Sequence, residues 1–254
     1  MQVSLTIIRY PGIFVPFALV AMVLHRIALM FNKNTAFYKL LGSGRNGSFD
    51  RIPDLQQWGI LTVRSSRFVR RTPDSFGEVR GWGCSNLERN LLMRELYGSF
   101  IAKWFQFFSC ETFTILLEPT EGHGLWDGKE VFGNLPKRSL QEGPVAILTR
   151  ATIRLTGLQQ FWKHINPVAI KMKAAKGYIT SLGLGEIPWV KQATFSIWES
   201  REAMMAFAYT MKEHTEVIKK TREQQWYSEE LFVRFRIIGN TGTIKGIDPL
   251  KRNL

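Results

Sequence analysis

The sequence repeats itself over a long period, and this repeat restricts the possible folds more than any other feature of the chain. Arg9 and Arg150 lie in matching strand-like runs, and Gly42 and Gly183 lie in matching glycine-containing runs. The residue numbers of both pairs differ by the same amount (150 − 9 = 141 and 183 − 42 = 141). A self-similarity of this length predicts two copies of one structural unit in a single chain.

Two further matches extend the repeat toward the end of each half. Gln57 and Gln192 begin similar strand-like runs with a slightly shorter offset (192 − 57 = 135). Residues 124–128, with the letters GLWDG, match residues 242–246, with the letters GTIKG. We therefore expect each half to close with the same kind of turn.

Each half has the pattern of strand, helix, strand, strand, helix and strand. In the second half we predict a strand over 145–153, a helix over 157–174, a hairpin of 178–182 with 192–198, and a final strand over 231–238. Ser200 is a suitable N-cap for the second helix. This βαββαβ order is the ferredoxin-like unit, whose sheet leaves one apolar face uncovered. We predict an α+β fold in which two tandem ferredoxin-like units press these faces together as a pseudo-twofold α+β barrel or sandwich.

The domain boundaries follow from the repeat. We predict an N-terminal ferredoxin-like unit over residues 1–133 and a C-terminal unit over residues 144–250, with the linker near residues 132–143. The first half also carries an insertion at about residues 69–86, between its third strand and its second helix.

Composition indicates a folded protein. The 254 residues are 45% hydrophobic and 13% aromatic, which suffices for a sizeable core and excludes a disordered chain. Cys84 and Cys110 form neither a CxxC pair nor a disulfide framework, which favours a reducing cytoplasm.

The charge of the chain is strongly positive, with a formal net value of +13. Basic residues cluster in the first half around Arg64, and in the second half at Lys163, Lys171, Lys173 and Lys176. Such clusters attract nucleic acid, anionic lipid or an acidic protein, although each is also compatible with an ordinary solvated surface.

Residues 13–31 form the most apolar stretch of the chain. The strand-like run of residues 3–10 precedes it, whereas a signal peptide would have a basic segment there. His25 and Arg26 interrupt the stretch, and a membrane-spanning helix needs about 20 nearly uncharged residues. We therefore predict a buried or partly membrane-facing helix and not a transmembrane one.

Several common site motifs are excluded. Residues 42–47 match GxGxxG, but the following residues, 48–53, do not begin the helix that a dinucleotide site requires. The sequence has no HExxH, P-loop, GxSxG, zinc-finger or RNP pattern. The four histidines are too scattered to form the histidine boxes of a membrane di-iron oxygenase, and neither cysteine lies in a thiolate-haem loop.

One histidine lies on an apolar stripe of the last helical region. The members of this stripe recur at spacings of three or four residues: Met204, Phe207, Met211, His214 and Ile218. The spacing leaves two interpretations of His214 open. It is either a core histidine bonded to a backbone carbonyl or a metal or haem ligand, because a neutral imidazole in an apolar pocket binds iron well.

The sequence resembles the spheroidene monooxygenase family of carotenoid biosynthesis over most of its length. The matching stretches are residues 37–44, 143–152, 183–188 and 192–198, together with residues 214–235. The last of these is the most specific, because a histidine and a basic segment are followed by the pattern W-(Y/F)-x-E-E-L-(F/Y)-x-R-F.

The resemblance implies a haem-containing monooxygenase that introduces a keto group into an acyclic carotenoid. The reaction proceeds by successive hydroxylations at one carbon, with O2 and electrons from reduced ferredoxin or a similar acidic donor. The resemblance further implies His214 as the axial ligand of the haem iron. It suggests Arg150 and Arg234 as partners of the haem propionates, and a salt bridge to Glu229 or Glu230 is the other role open to them.

Substrate and location are less specified by the sequence. A carotenoid needs a long apolar slot, for which the candidates, equally suited to a core, are Phe161, Phe195, Ile197 and Phe207. We expect a cytoplasmic protein that docks an acidic ferredoxin or rests as a peripheral protein on anionic membrane.

Three other classes of function remain open. The first is a different haem enzyme on the same fold, such as a dehydratase or peroxidase, and the second is a cofactor-free monooxygenase of the dimeric α+β barrel type. The third, suggested by charge alone, is a non-enzymatic nucleic-acid or lipid binder. Residues 87–108, which match the His214 region in the first half, contain no histidine, so we predict one haem site per chain, in the C-terminal unit.

Overall fold

The computed structural model describes residues 1–45, 52–64, 86–139, 142–210 and 226–251. In the first half the elements are β1 (Gln2–Arg9), α1 (Val15–Met30), β2 (Thr35–Gly44), β3 (Pro53–Arg64), α2 (Asn86–Tyr97), α3 (Ser99–Phe107) and β4 (Glu111–Gly124). In the second half they are β5 (Val145–Ile153), α4 (Leu158–Lys173), β6 (Tyr178–Ile187), β7 (Lys191–Trp198), α5 (Arg201–Thr210) and β8 (Tyr227–Gly242).

The strands form a closed barrel in the order β1-β3-β2-β6-β7-β5-β8-β4. Strand β1 pairs with β3 and β4, and β5 pairs with β7 and β8, all antiparallel. Each half keeps the order strand, helix, strand, strand, helix, strand, with one additional helix in the first half. The predicted α+β fold built from a repeated βαββαβ unit is confirmed.

Local predictions in the second half hold at most positions. The Oγ of Ser200 accepts a hydrogen bond from the backbone N–H of Ala203 at 3.2 Å, which is the predicted N-cap of α5. Strand β5 has the predicted bounds, whereas β8 extends at both ends beyond the predicted 231–238. Its additional residues pair with β5 or lead to the closing turn, which local sequence patterns do not reveal.

The structure corrects the offset of the repeat. Gln2 and Val145 begin β1 and β5, and Thr35 and Tyr178 begin β2 and β6, so the offset between equivalent positions is 143 (145 − 2 and 178 − 35). The offset of 141 is therefore short by two positions. Because side chains alternate along a strand with a period of two, that error preserves which face each residue occupies.

The match of Gln57 with Gln192 contains a different error. Gln57 pairs with Arg9, whereas Gln192 pairs with Ala151 and not with Arg150. The alignments with offsets of 141 and 135 are therefore inconsistent by one position, and a one-residue slip moves every side chain to the other face of a sheet.

The chain divides into two compact units that do not coincide with the two sequence halves. The first unit comprises residues 1–42, 54–118 and 237–254, and the second comprises residues 43–53 and 119–236. Each unit thus contains the end of the last strand of the other half. The boundaries of 1–133 and 144–250 describe the sequence repeat and stay a prediction as domains.

Each unit packs helices against one side of its strands. In the first unit, α1, α2 and α3 contribute buried residues such as Leu29, Leu96 and Ile101 to one cluster with Ile8 and Ile60. In the second unit one cluster joins Ile147, Met172, Trp198 and Met204, and a separate cluster joins Ile153, Phe161, Trp162 and Trp226. Burying one such apolar side chain contributes roughly 1.5–3 kcal/mol, so these clusters are what attaches the helices to the strands.

Candidate functional site

Arg150 is a buried arginine surrounded by acidic residues in the second unit. Its side chain is 1% exposed and forms ion pairs with Asp127 at 2.9 Å, with Glu186 at 3.3 Å and with Glu229. The guanidinium lies 5.6 Å from the centre of the Trp126 ring, and the indole N–H of Trp126 donates to Glu186 at 2.8 Å. A buried guanidinium that is shielded from water needs a partner of opposite charge, and here three carboxylates provide it.

A tight turn holds the carboxylate of Glu229. Trp126 and Lys129 form an isolated antiparallel bridge, and the two residues between them, Asp127 and Gly128, have φ values of 51° and 73°. Both of their backbone N–H groups donate to Glu229, at 2.9 and 2.7 Å. Burial alone would raise the pKa of Glu229, but these hydrogen bonds and Arg150 outweigh it, so the pKa of this carboxyl is lowered.

The first unit contains the same turn with different residues. Ile244 and Ile247 form the bridge, and the backbone N–H groups of Lys245 and Gly246 donate to Glu111 at 2.8 and 2.6 Å. Burial alone would raise the pKa of Glu111, but the hydrogen bonds from this turn and from Thr243 lower it. The expectation that both halves close with the same turn is confirmed.

The glycine before each turn is fixed by a close approach of backbone. Gly124 and Gly242 have φ values of 92° and 90°. A Cβ at Gly124 would overlap the carbonyl oxygen of Glu230, and one at Gly242 would overlap that of Thr112. Only glycine fits either position, because both the backbone angle and the space exclude a side chain.

The arginine distinguishes the two units. With the corrected offset of 143, Arg150 is equivalent to Ile7, which is a buried apolar residue. Arg9, which the sequence alignment had matched to Arg150, is partly exposed and donates to Asp54 at 3.0 Å and to Gln56 at 2.8 Å. The turn and its glutamate belong to the scaffold, whereas the buried arginine belongs to the second unit.

Arg234 also has a carboxylate partner. Its guanidinium pairs with Glu121, which Arg201 also approaches at 3.5 Å, and it lies 5.2 Å from the centre of the Phe232 ring. Of the two roles that the sequence left open, the salt bridge to Glu229 is present for Arg150, and Arg234 pairs with Glu121 in place of Glu229 or Glu230.

The structure does not bring Arg150 and Arg234 together. Arg150 pairs with Leu231, and Arg234 pairs with Ile147, which is three residues from Arg150 along β5. Residues an odd number of positions apart point to opposite faces of a sheet. The two guanidinium groups therefore cannot both bind the adjacent propionates of one haem in this arrangement.

His214 lies outside the described residues, and the described part of its stripe is apolar and inward-facing. On α5, Met204 is buried in the cluster of Ile147 and Trp198, and Phe207 packs against Trp198 with ring centres 5.2 Å apart. The first two positions of the stripe thus face the core as predicted.

A different histidine, His25 on α1, has an unusual environment in the first unit. Its ring is 3% exposed and lies 5.4–6.2 Å from the ring centres of Phe100, Trp104 and Phe105. Its Nε2 has no hydrogen-bond partner among the described residues, and His25 is one of the residues that line a small, mostly apolar cavity. Burial lowers the pKa of His25 to about 4, so the ring is neutral at physiological pH.

The four residues considered for a substrate slot do not line one cavity. Phe207 packs with Trp198, whereas Phe161 packs with Trp162 and Tyr227 in the other cluster of the second unit. Phe195 and Ile197 are fully buried strand residues. Their positions in the described structure are those of core residues.

The sequence offered Glu229 as a partner of Arg150, but it missed Asp127, Glu186 and Glu121 and the environment of His25. Asp127, Glu186 and Glu121 are distant in sequence from the arginines that they pair with, so no local pattern connects them. His25 did carry a signal, since it lies at helical spacing with Ala18, Ala21 and Leu29, which are all buried on α1.

Similarity to curated proteins covers nearly the whole chain, although no protein-family model matches it. A spheroidene monooxygenase of Rhodobacter capsulatus is 30% identical over 251 residues, which are 97% of this chain and 94% of that relative. One of Cereibacter sphaeroides is 32% identical over 230 residues, 90% of this chain and 64% of the relative. The chain thus spans slightly less than two thirds of the Cereibacter protein's length and almost all of the Rhodobacter protein's length.

Solved structures with a similar fold include two aldoxime dehydratases. One, in complex with butyraldoxime, has a TM-score of 0.60 at 10% identity, and the match covers 100% of this chain and 85% of the dehydratase chain. The other has a TM-score of 0.56 at 8% identity, and the match covers 100% of this chain and 87% of that dehydratase chain. At these identities the likeness establishes a common fold.

Proposed function

The chain belongs to the spheroidene monooxygenase family, a family of oxidoreductases, and we propose that it is a carotenoid monooxygenase that introduces a keto group into an acyclic carotenoid. The observation that carries this proposal is the similarity to a spheroidene monooxygenase over 97% of this chain and 94% of that relative. A match of this extent includes both repeated units.

The proposed reaction consists of two hydroxylations at one carbon. Each replaces one hydrogen of a CH2 group by a hydroxyl, and the second oxygen atom of O2 leaves as water. The second hydroxylation produces a gem-diol, which loses water to give the ketone. In total, two O2, four electrons and four protons convert the CH2 group to C=O and release three waters, so the enzyme needs a reductant.

We propose haem as the cofactor, with His214 as its axial ligand. When bound, the haem would supply the activation of O2 that an amino-acid side chain cannot provide. The inward-facing positions of Met204 and Phe207 support an apolar environment for the stripe that contains His214. A neutral imidazole in such an environment suits iron.

The arginines contribute less to this proposal than the resemblance implies. Arg150 and Arg234 are each paired with carboxylates, and either one would have to release its partner to bind a propionate. Three carboxylates around Arg150 would then lie close together, with Lys191, 2.7 Å from Asp127, as the cation that stays beside them. Binding of a haem propionate stays a prediction for either Arg150 or Arg234. Arg234 would have fewer carboxylates to displace.

We propose that the reductant is an acidic protein of the ferredoxin class and that it docks on α4. Lys163, Lys171 and Lys173 on this helix and Lys176 just after it are exposed. Opposite charges on the two proteins would orient the donor and accelerate encounter. Arg64, which the sequence grouped with a basic cluster, is buried and paired with Glu95, so it does not add to such a surface.

The first test of the proposed function is a change of pigment mass. Expression in a host that accumulates acyclic carotenoids, together with a ferredoxin reductant, should convert the pigment to a product heavier by one oxygen and lighter by two hydrogens. An intermediate with one added hydroxyl should precede it. If O2 and reductant leave the pigment unchanged while the chain is folded, the carotenoid proposal fails and a dehydratase or peroxidase activity becomes the alternative.

The second test addresses the cofactor and its ligand. Chain purified from haem-supplied cells should show a Soret band, and His214→Ala should lose it or shift it. His123→Ala is the matched control, because His123 is exposed and stacks on Phe232, so the band should persist. A wild-type chain without a Soret band would favour a cofactor-free monooxygenase, and a band that persists in His214→Ala would exclude His214 as the ligand.

A further inference from the structure

Helices α1 and α3 of the first unit expose a continuous apolar surface. On α1 the exposed side chains, each between 44% and 63% exposed, are Phe17, Leu19, Val20, Val23, Ile27 and Met30. Phe100 and Phe107 are exposed on α3, and Phe108, next to Phe107, contacts Phe17 with ring centres 4.8 Å apart. We call this surface the α1–α3 face. Contiguous exposed apolar side chains, in contrast to single scattered ones, mark binding surfaces.

The exposed residues of α1 are arranged for a flat interface. A rotation of about 100° per residue places the exposed apolar side chains of α1 on one arc and the buried residues Ala18, Ala21 and Leu29 on the opposite side. Ile13 and Phe31 extend the arc beyond both ends of the helix, and they are 80% and 74% exposed. The helix is thus half embedded in its own unit and half apolar toward the outside.

The charges at the α1–α3 face are all positive. Residues 12–31 and 99–107 contain no aspartate or glutamate. Arg26, at the edge of the arc on α1, and Lys103, between Phe100 and Phe107 on α3, are both exposed. Such long basic side chains can reach anionic headgroups while the apolar residues beside them enter the acyl region.

We propose that the α1–α3 face binds the surface of an anionic lipid bilayer, with α1 lying in the plane of the membrane. An apolar helix face bordered by arginine and lysine is the arrangement by which in-plane helices insert about 5–10 Å into one leaflet. A second copy of the chain fits this surface less well. It would bring the Arg26 and Lys103 groups of two faces together without any acidic partner.

A membrane-spanning arrangement of α1 is incompatible with the sheet. Residues Gly12–Met30 are long and apolar enough to cross a bilayer. However, β1 precedes α1 and β2 follows it, and both strands neighbour β3 in one sheet. A spanning helix would separate β1 from β2 by the thickness of the membrane, so α1 lies on the bilayer and does not cross it.

This inference rests on the proposed function for its choice of ligand, because a carotenoid substrate dissolves in the bilayer on which α1 would lie. It is tested without any carotenoid. Purified full-length chain is mixed with vesicles of phosphatidylcholine alone or of phosphatidylcholine with phosphatidylglycerol, and the bound fraction is measured by flotation. We expect binding to both, tighter with phosphatidylglycerol.

The repeat provides a matched pair of variants. Ile27 and Ile170 are equivalent residues (170 − 27 = 143) on α1 and α4, and they are 48% and 71% exposed. Ile27→Asp should weaken vesicle binding at least about tenfold, since it removes apolar insertion and adds a charge that resists it. Ile170→Asp should bind as the wild type does. Val23→Asp, at a more exposed position, repeats the test independently, and a circular dichroism melt confirms that each variant is folded.

A second pair of variants tests the charge contribution. Arg26→Glu and Lys103→Glu should each reduce the preference for phosphatidylglycerol by about fivefold, with little change in binding to phosphatidylcholine alone. Equal binding of Ile27→Asp and wild type would overturn the proposal. So would a wild-type chain that stays free of vesicles and forms a dimer that Ile27→Asp dissociates, because the occupant would then be a second copy.

The outcome is separable from that of the proposed function. Vesicle binding that depends on Ile27, in a chain that leaves carotenoids unchanged, would support the lipid-binding face and contradict the carotenoid reaction. Carotenoid conversion by a chain whose vesicle binding is unaffected by Ile27→Asp would support the carotenoid reaction and contradict the lipid-binding face.

Discussion

Helices α1 and α4 occupy equivalent places in the two halves and expose opposite chemistry. Both have 16 residues, and both follow a short 3-10 turn after the first strand of their half. Their inward residues are alike, since Leu29 and its equivalent Met172 are both buried. Their outward residues differ: Val20 is equivalent to Lys163, and Met30 is equivalent to Lys173. The fold fixes what faces the sheet and leaves the outer surface free to acquire a partner.

The same division separates scaffold from chemistry within each unit. The closing turn, its glutamate and the preceding glycine occur in both units, as Glu111 with Gly242 and as Glu229 with Gly124. The buried arginine and the stripe that leads to His214 occur in the second half, whereas the first has Ile7 at the place of Arg150. A substitution in the shared scaffold should therefore act alike in both units, and one outside it should act in a single unit.

The largest effect is expected where the scaffold is most crowded. Gly124→Ala and Gly242→Ala should each lower the free energy of unfolding by about 4–5 kcal/mol, because each Cβ would overlap a backbone carbonyl oxygen. Urea denaturation measures both. Gly128→Ala is the control: Gly128 also has a positive φ, 73°, but nothing lies within 4 Å of an added Cβ, so the left-handed backbone alone should cost about 1 kcal/mol. Strongly unequal costs for Gly124 and Gly242 would contradict a common scaffold.

The next effect should distinguish the two units. Arg150→Met removes the partner of three carboxylates and should destabilise the chain by about 3–4 kcal/mol. Arg9→Met removes a partly exposed pair with Asp54 and should cost less than about 1 kcal/mol. The comparison uses urea denaturation at neutral pH. Equal costs would mean that the carboxylates around Arg150 do not depend on its charge.

An intermediate effect concerns acid stability. The folded pKa of His25, about 4, is below the unfolded value of 6.5, so the unfolded chain binds more protons between these values and stability falls as pH decreases from 6.5 toward 4. His25 should therefore account for a loss of about 2 kcal/mol between pH 7 and pH 5. His25→Val, which installs the residue of the equivalent position Val168, should remove this loss. If the free energy of unfolding of His25→Val still falls by the wild-type amount between pH 7 and pH 5, His25 is not the cause of the loss.

The smallest effect concerns the basic surface of α4. Lys163→Glu with Lys173→Glu should reduce kcat/KM for a reduced ferredoxin by about tenfold at low salt, because they reverse two charges on the proposed docking surface. The difference should shrink as salt is added. Arg26→Glu with Lys103→Glu reverses two charges on the α1–α3 face and serves as the control, with the carotenoid supplied in detergent micelles so that membrane binding does not contribute. A loss of similar size in that control would move the donor site away from α4.

The sequence predicted the repeated unit well and the contacts of the site poorly. Apolar periodicity and turn residues act over a few positions, so the strand 145–153, the N-cap at Ser200 and the Asp-Gly turn at 127–128 could be recognised from local patterns. Of the three carboxylate partners of Arg150, the sequence offered Glu229 alone. Asp127 and Glu186 lie on another turn and another strand, and the tertiary structure brings them to Arg150. His214 stays a prediction of the spacing and the resemblance.

The sequence by itself determined that the chain contains two copies of a βαββαβ unit, because side-chain periodicity and turn chemistry are encoded locally. The tertiary structure decided the rest. Strand pairing set the offset of the repeat at 143, because Arg9 pairs with Glu111 and Thr152 pairs with the equivalent Glu229 (152 − 9 = 143). Ile7, not Arg9, is therefore the residue equivalent to Arg150. Packing decided which side of α1 is covered, because a helix that is apolar all round can bury any face, and the sheet leaves Val23 and Ile27 exposed.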